Sequence, residues 1–125
     1  MSAKPLNRPL SPHLQVWKWT FTMALSILHR ASGIALVAGT MMLVWMLVAA
    51  ASGETSYETF LHFAQSLVGQ ILLFGFTGTV YYHMCSGIRH LIMDLGYAIT
   101  IPQAEKAGYI MFVVSIALTL ATWGA

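Results

Sequence analysis

The sequence predicts an all-α membrane protein with three transmembrane helices, the N-terminus on the cytoplasmic or matrix side and the C-terminus outside. The first observation behind this is composition. Of 125 residues, 58% are hydrophobic and 8% are charged, against about 25% charged in an average globular domain. A soluble domain this small has a high surface-to-volume ratio and needs polar residues to cover it. Six basic and four acidic side chains cannot provide that cover, and a mean hydropathy of +0.71 also excludes a disordered chain. The second observation is three uncharged stretches of spanning length, and the third is the distribution of charge between them.

Residues 1–22 form an N-terminal cytoplasmic or interfacial segment, and 23–125 form the three-helix anchor. Pro5, Pro9 and Pro12 stop any helix before about Leu14, and Trp17 and Trp19 suit the membrane interface. The segment lacks the apolar region and small-residue cleavage site of a signal peptide. It is not an arginine-rich transit peptide either, so the chain reads as bacterial or already processed.

A hydrocarbon core of ~30 Å, at 1.5 Å per helical residue, takes roughly 20 residues to cross. Ala31–Gly53, Phe63–Ile88 and Ala107–Ala125 offer 23, 26 and 19 residues, none of them Asp, Glu, Lys or Arg. Backbone groups in lipid must be satisfied internally, and runs this long without alternation are helices rather than barrel strands. Lys4, Arg8, Lys18 and Arg30 precede the first span, which puts that side inside. Gly53–His62 carries Glu54 and Glu58 and no Lys or Arg, so it faces out. Arg89 and Lys106 bring the next loop back inside, with Asp94 and Glu105 beside them. Pro102 marks that loop, and Trp123 ends the third span at the outer interface.

The six basic residues never cluster into a phosphate-binding patch, which excludes a nucleic-acid partner. Cys85 is the single cysteine, so there is no internal disulfide, and it reads as a packing residue. The methionines read as filler, Tyr81 and Tyr82 as packing and hydrogen-bonding residues, and Gly33, Gly39, Gly75 and Gly78 as close helix contacts.

Two segments carry candidate chemistry. Ser26-Ile27-Leu28-His29-Arg30-Ala31-Ser32-Gly33 lies at the inner mouth of the first span. Ser26 and Arg30 are one turn apart on one face. Together they suit a quinone carbonyl or a carboxylate, or Arg30 simply snorkels to water. His83-Met84-Cys85-Ser86-Gly87-Ile88-Arg89-His90-Leu91-Ile92-Met93-Asp94 closes the second span, with His83, Gly87, His90 and Asp94 along one stripe. A histidine about 9 Å deeper than Arg89, at the helical rise, is a functional-site candidate. Gly87 removes a side chain one turn away and lets a flat macrocycle approach the backbone. The alternative is a histidine bonded across helices, with glycine for close packing. Zinc would need more ligands at that depth than the chain supplies, whereas haem needs one or two axial ligands. His29 and His90 read as lying near the inner surface and His62 near the outer one, all displaced from His83. The second axial ligand then comes from a partner.

Arg8-Pro9-Leu10-Ser11-Pro12-His13-Leu14, Ser26-x-x-His29-Arg30-x-Ser32-Gly33 and His83-x-x-x-Gly87-x-Arg89-His90-Leu91-x-x-Asp94 resemble the cytochrome b membrane-anchor subunits of succinate dehydrogenase, respiratory complex II. The resemblance runs from about Arg8 to Trp123. It departs at Trp17, where that family commonly has tyrosine. It implies that His83 is an axial ligand of a haem b shared with a second small anchor subunit. It further implies that Ser26 and Arg30, with Ile27 between them, line the ubiquinone pocket. Electrons would reach that pocket from succinate through the flavoprotein and iron–sulfur subunits. His29, Arg30, Arg89 and His90 are at the level of the haem propionates, and Asp94 could pair with Arg89 or His90 or cap the loop. The expected location is the bacterial inner membrane rather than the mitochondrial one, and no activity is expected from the chain alone. Two other readings remain: a haem-free structural anchor, and the anchor of a menaquinol-dependent fumarate reductase.

Overall fold

A computed structural model describes His13, Leu14 and Trp17–Ala125. The Arg8–Pro12 part of the first motif, with Lys4, lies outside the described residues. Four helices follow in order: α1 Phe21–Ser52, α2 Glu54–Gln65, α3 Leu67–Asp94 and α4 Ile101–Gly124. Among the described residues there is no strand, and α1, α3 and α4 are long and apolar enough to cross a membrane.

Each long helix exceeds its expected span. At 1.5 Å per residue, the 32, 28 and 24 residues of α1, α3 and α4 reach ~48, ~42 and ~36 Å. α1 begins at Phe21, ten residues before the apolar run, because nothing between Thr20 and Ala31 breaks a helix and Arg30 is tolerated on it. Pro102 sits inside α4 rather than in the loop before it. In a first turn its missing N–H removes no helical bond.

The Gly53–His62 loop is also helical: it forms most of α2, whose 12 residues are too few to span. Gly53 separates α1 from α2 at φ 109°, a region open to glycine and strained for other residues. α2 folds back on α1 through aromatic contacts, with the buried Phe60 edge-on to Trp45 at 5.2 Å. Ser66 then starts α3, its hydroxyl accepting from Gly69 N–H at 3.1 Å. A side chain at Gly69 would collide with the Phe63 carbonyl, so the α2–α3 corner requires glycine there.

α3 ends in a hydrogen-bonded cap of the Schellman type. Tyr97 N–H donates to Ile92 O at 3.2 Å and Gly96 N–H to Met93 O at 2.9 Å, with Gly96 at φ 87°. These bonds satisfy carbonyls the helix end would leave open.

α3 packs against both α1 and α4. The face α4 buries is Ala104, Gly108, Met111, Ser115 and Thr119, a line of mostly small residues that lets helix backbones approach closely. Leu25, Cys85 and Met111 form the buried cluster where the three helices meet, so Cys85 is the packing residue expected. Both tyrosines hydrogen-bond between helices: Tyr82 Oη donates to Leu25 O at 3.0 Å, and Tyr81 Oη lies 2.9 Å from Thr122 Oγ1. Gly39 faces Phe76, Gly33 faces His83 and Gly78 faces Thr119, whereas Gly75 has no neighbour and is no helix contact. Only 11%, 11% and 22% of the most apolar windows of α1, α3 and α4 are buried. The rest of that surface is left for lipid or other subunits.

Candidate functional site

The site is built where the first three turns of α1 pass the last three turns of α3. Gly33 and Gly39 on α1 set the closeness of approach. A Cβ at Gly39 would collide with the Phe76 ring, and one at Gly33 would stand 3.5 Å from His83 Cε1. The two helices run antiparallel, so this register brings residues 29–33 level with His83.

Ser32, 9% exposed, is the hub. Its hydroxyl donates to the carbonyl of His29 at 2.7 Å, and the same oxygen lies 2.9 Å from His83 Nδ1. The other nitrogen of His83, Nε2, has no partner among the described residues and is not enclosed by this chain. The His29 ring lies against the His83 ring with centroids 4.2 Å apart and planes 13° from parallel. His90 stands 5.2 Å from His29 at 59°. The expectation that His29 is displaced from His83 is therefore corrected. Taking Ala31 as the start of the helix put His29 at the surface, but α1 starts at Phe21 and holds it level with His83. His29 Nδ1 is buried without a hydrogen-bond partner.

Gly87, one turn from His83, has nothing within 4 Å of where a Cβ would be. No helix of this chain uses that gap. The three histidines do not converge on a point, and among the described residues no set of three His, Cys, Asp or Glu side chains can hold a metal ion. The arrangement is one histidine nitrogen beside an open face of helix, with room there for a flat group.

Ser26, half-buried, and the exposed Ile27 and Arg30 stand on the surface of α1 beside this cluster. A cavity of about 620 Å³ lies between α1, α3 and α4 and is lined by residues such as Leu28, Ser32, Tyr82 and Ser115, not by Ser26, Ile27 or Arg30.

Arg89 is not brought together with the histidines. It is 7% exposed and turns to α4, where Nη2 donates to Ala104 O at 3.1 Å, leaving Nε without a partner. Six positions along a helix rotate it about 120° from His83. Asp94 is exposed at the end of α3 and pairs with neither Arg89 nor His90. Ser32 is the residue that sequence reasoning passed over. Its spacing from His29 was visible, but nothing local links it to His83.

Residues 4–122 match the family described as succinate dehydrogenase/fumarate reductase transmembrane subunit. The chain belongs to that family. Among similar proteins, the succinate dehydrogenase cytochrome b556 subunit of Paracoccus denitrificans is 39% identical over 116 residues, covering 93% of this chain and 89% of its own. The corresponding b556 subunit of Rickettsia felis is 37% identical over 118 residues, covering 94% and 91%. The mitochondrial cytochrome b560 subunit of Sus scrofa is 39% identical over 115 residues, covering 88% and 66%. Three membrane-crossing helices and near full-length similarity thus agree on a membrane subunit of this family.

Proposed function

We propose that this chain is the haem b-binding membrane anchor of a succinate dehydrogenase and forms part of its ubiquinone-reduction site. The observation that carries the reading is His83: its Nδ1 is held by Ser32, its Nε2 is free, and Gly87 keeps the adjoining helix face open. A structural anchor has no need of a histidine oriented in this way at this depth, where an unpaired polar ring is costly. The relatives' names, cytochrome b556 and b560, support the binding of haem.

His83 would supply one axial nitrogen and a second small anchor subunit the other. His29 and His90 would meet the propionates, since their rings lie beside His83 and beside each other. Arg89 is left out of that set because it serves α4. Haem b, when bound, takes up and passes on one electron at a time.

The quinone reaction takes two electrons and two protons to the quinol. The electrons originate from succinate and arrive through the flavoprotein and iron–sulfur subunits. Arg30 would donate a charge-assisted hydrogen bond to a quinone carbonyl and stabilise the negative charge that grows on its oxygen during reduction. Ser26, one turn away, would donate a second hydrogen bond and fix the ring's orientation. Because both side chains stand on the surface, the remaining walls come from the iron–sulfur and second anchor subunits.

With Lys4, Arg8 and Lys18 before α1, Arg30 in its third turn, and Glu54 and Glu58 after it, the positive-inside rule puts Arg30 and His83 toward the cytoplasm in a bacterial inner membrane. The relatives' names favour succinate oxidation over fumarate reduction. The test is a reduced-minus-oxidised spectrum of the purified complex. A b-type difference spectrum that develops with succinate is expected, and a colourless membrane domain would leave only the structural-anchor reading.

A further inference from the structure

We infer that Ser32 fixes the proton of His83 on Nδ1, and so presents Nε2 to the iron as a lone pair while tuning its basicity. This rests on the reading of His83 as a haem ligand. A serine hydroxyl has one proton to donate. Ser32 Oγ is 2.7 Å from the carbonyl oxygen of His29, which can only accept. The hydroxyl proton therefore lies between those two oxygens; without it, two sets of lone pairs would face each other at that distance.

The same Oγ is 2.9 Å from His83 Nδ1. With its proton already committed, Oγ can only accept, so Nδ1 carries the hydrogen. A neutral imidazole protonated at Nδ1 has its lone pair at Nε2. The hydrogen bonds thus run in one direction, from His83 to Ser32 to the α1 backbone. Ser32 is 9% exposed, and the contact sits inside the α1–α3 interface. His29, flat against the other ring, limits rotation of the imidazole.

A hydrogen bond accepted from the distal N–H makes an imidazole a stronger donor to its metal. The ferric state gains more from this than the ferrous state, so Ser32 holds the haem potential down.

The test is a redox titration and an electron paramagnetic resonance spectrum of the whole complex carrying Ser32→Ala, Ser32→Thr or His83→Leu. Ser32→Ala is expected to weaken ferric over ferrous binding about tenfold, which raises the potential by roughly 59 mV for a one-electron couple. Its low-spin g-values should also shift as the ring loses its orientation. Ser32→Thr keeps the hydroxyl and should stay near the native potential. Loss of haem from Ser32→Ala with retention in Ser32→Thr would support the assignment equally, because the two differ in the hydroxyl. Native potential and g-values in Ser32→Ala, or the same change in both serine variants, would overturn it. An intact spectrum in His83→Leu would instead overturn the ligand reading itself.

Discussion

His29 lies flat on His83, ring centroids 4.2 Å apart and planes 13° from parallel, yet the surroundings of the two rings differ. His83 Nδ1 is held by Ser32 and Gly87 leaves the helix face one turn away open, whereas His29 Nδ1 is buried without a partner. His83→Leu should therefore abolish or strongly alter the low-spin haem spectrum in a complex that still assembles, since leucine keeps the helix apolar. His29→Leu should retain haem with a shifted spectrum. Equal loss in both variants would remove the distinction, and haem-to-protein ratios on complexes of confirmed subunit content decide it.

Arg30→Leu removes the proposed charge-assisted bond to the quinone, worth about 1.5–3 kcal/mol. The quinone reductase rate should fall roughly 10- to 150-fold. Reduction of a soluble dye that takes electrons upstream should survive. Ser26→Ala loses a neutral donor at about 0.5–1.5 kcal/mol and should be milder. A wild-type ratio of quinone rate to dye rate in Arg30→Leu would exclude Arg30 from the site.

Two glycines should respond in opposite ways. Gly39→Val collides with Phe76 and, as an overpacked contact, should cost about 1–3 kcal/mol, read as a lower unfolding temperature of the detergent-solubilised complex. Gly87→Leu meets nothing in this chain and gains helix propensity. It should insert normally while haem affinity falls roughly 10- to 100-fold, the scale on which disturbed supporting contacts act. Full haem occupancy in Gly87→Leu would show that the open face is not the cofactor's.

Arg89 separates packing from cofactor binding. Arg89→Met removes its bond to Ala104 O and should lower the thermal stability of the complex by loosening α3 from α4. The haem potential should stay native. A displaced potential at unchanged stability would return Arg89 to the propionates.

Much of this protein is legible along the chain because the relevant signals are contiguous. Hydrophobic length predicts the three spans, and the His83–Gly87 spacing marks a helix face. The short α2 was missed since Glu54–Gln65 is too polar to read as a span and its folding back depends on Trp45. The Schellman cap at Gly96, by contrast, has a local cause in Asp94-Leu95-Gly96.

What only the tertiary structure decided is which side chains meet. Ser32 against His83, His29 stacked on His83 and Arg89 turned to Ala104 depend on the register of α1 and α4 along α3. That register is set where Gly39 admits Phe76, Gly33 admits His83 and Gly108 admits Leu25. A slip of one helical turn, about 5.4 Å, leaves every hydropathy pattern unchanged and dissolves all three contacts. Hydropathy is summed along a segment, so the sequence alone determined that three helices are long and apolar enough to cross and that His83 lies within one of them. Register is a fit between surfaces distant in sequence, so only the folded chain gave His83 its partner.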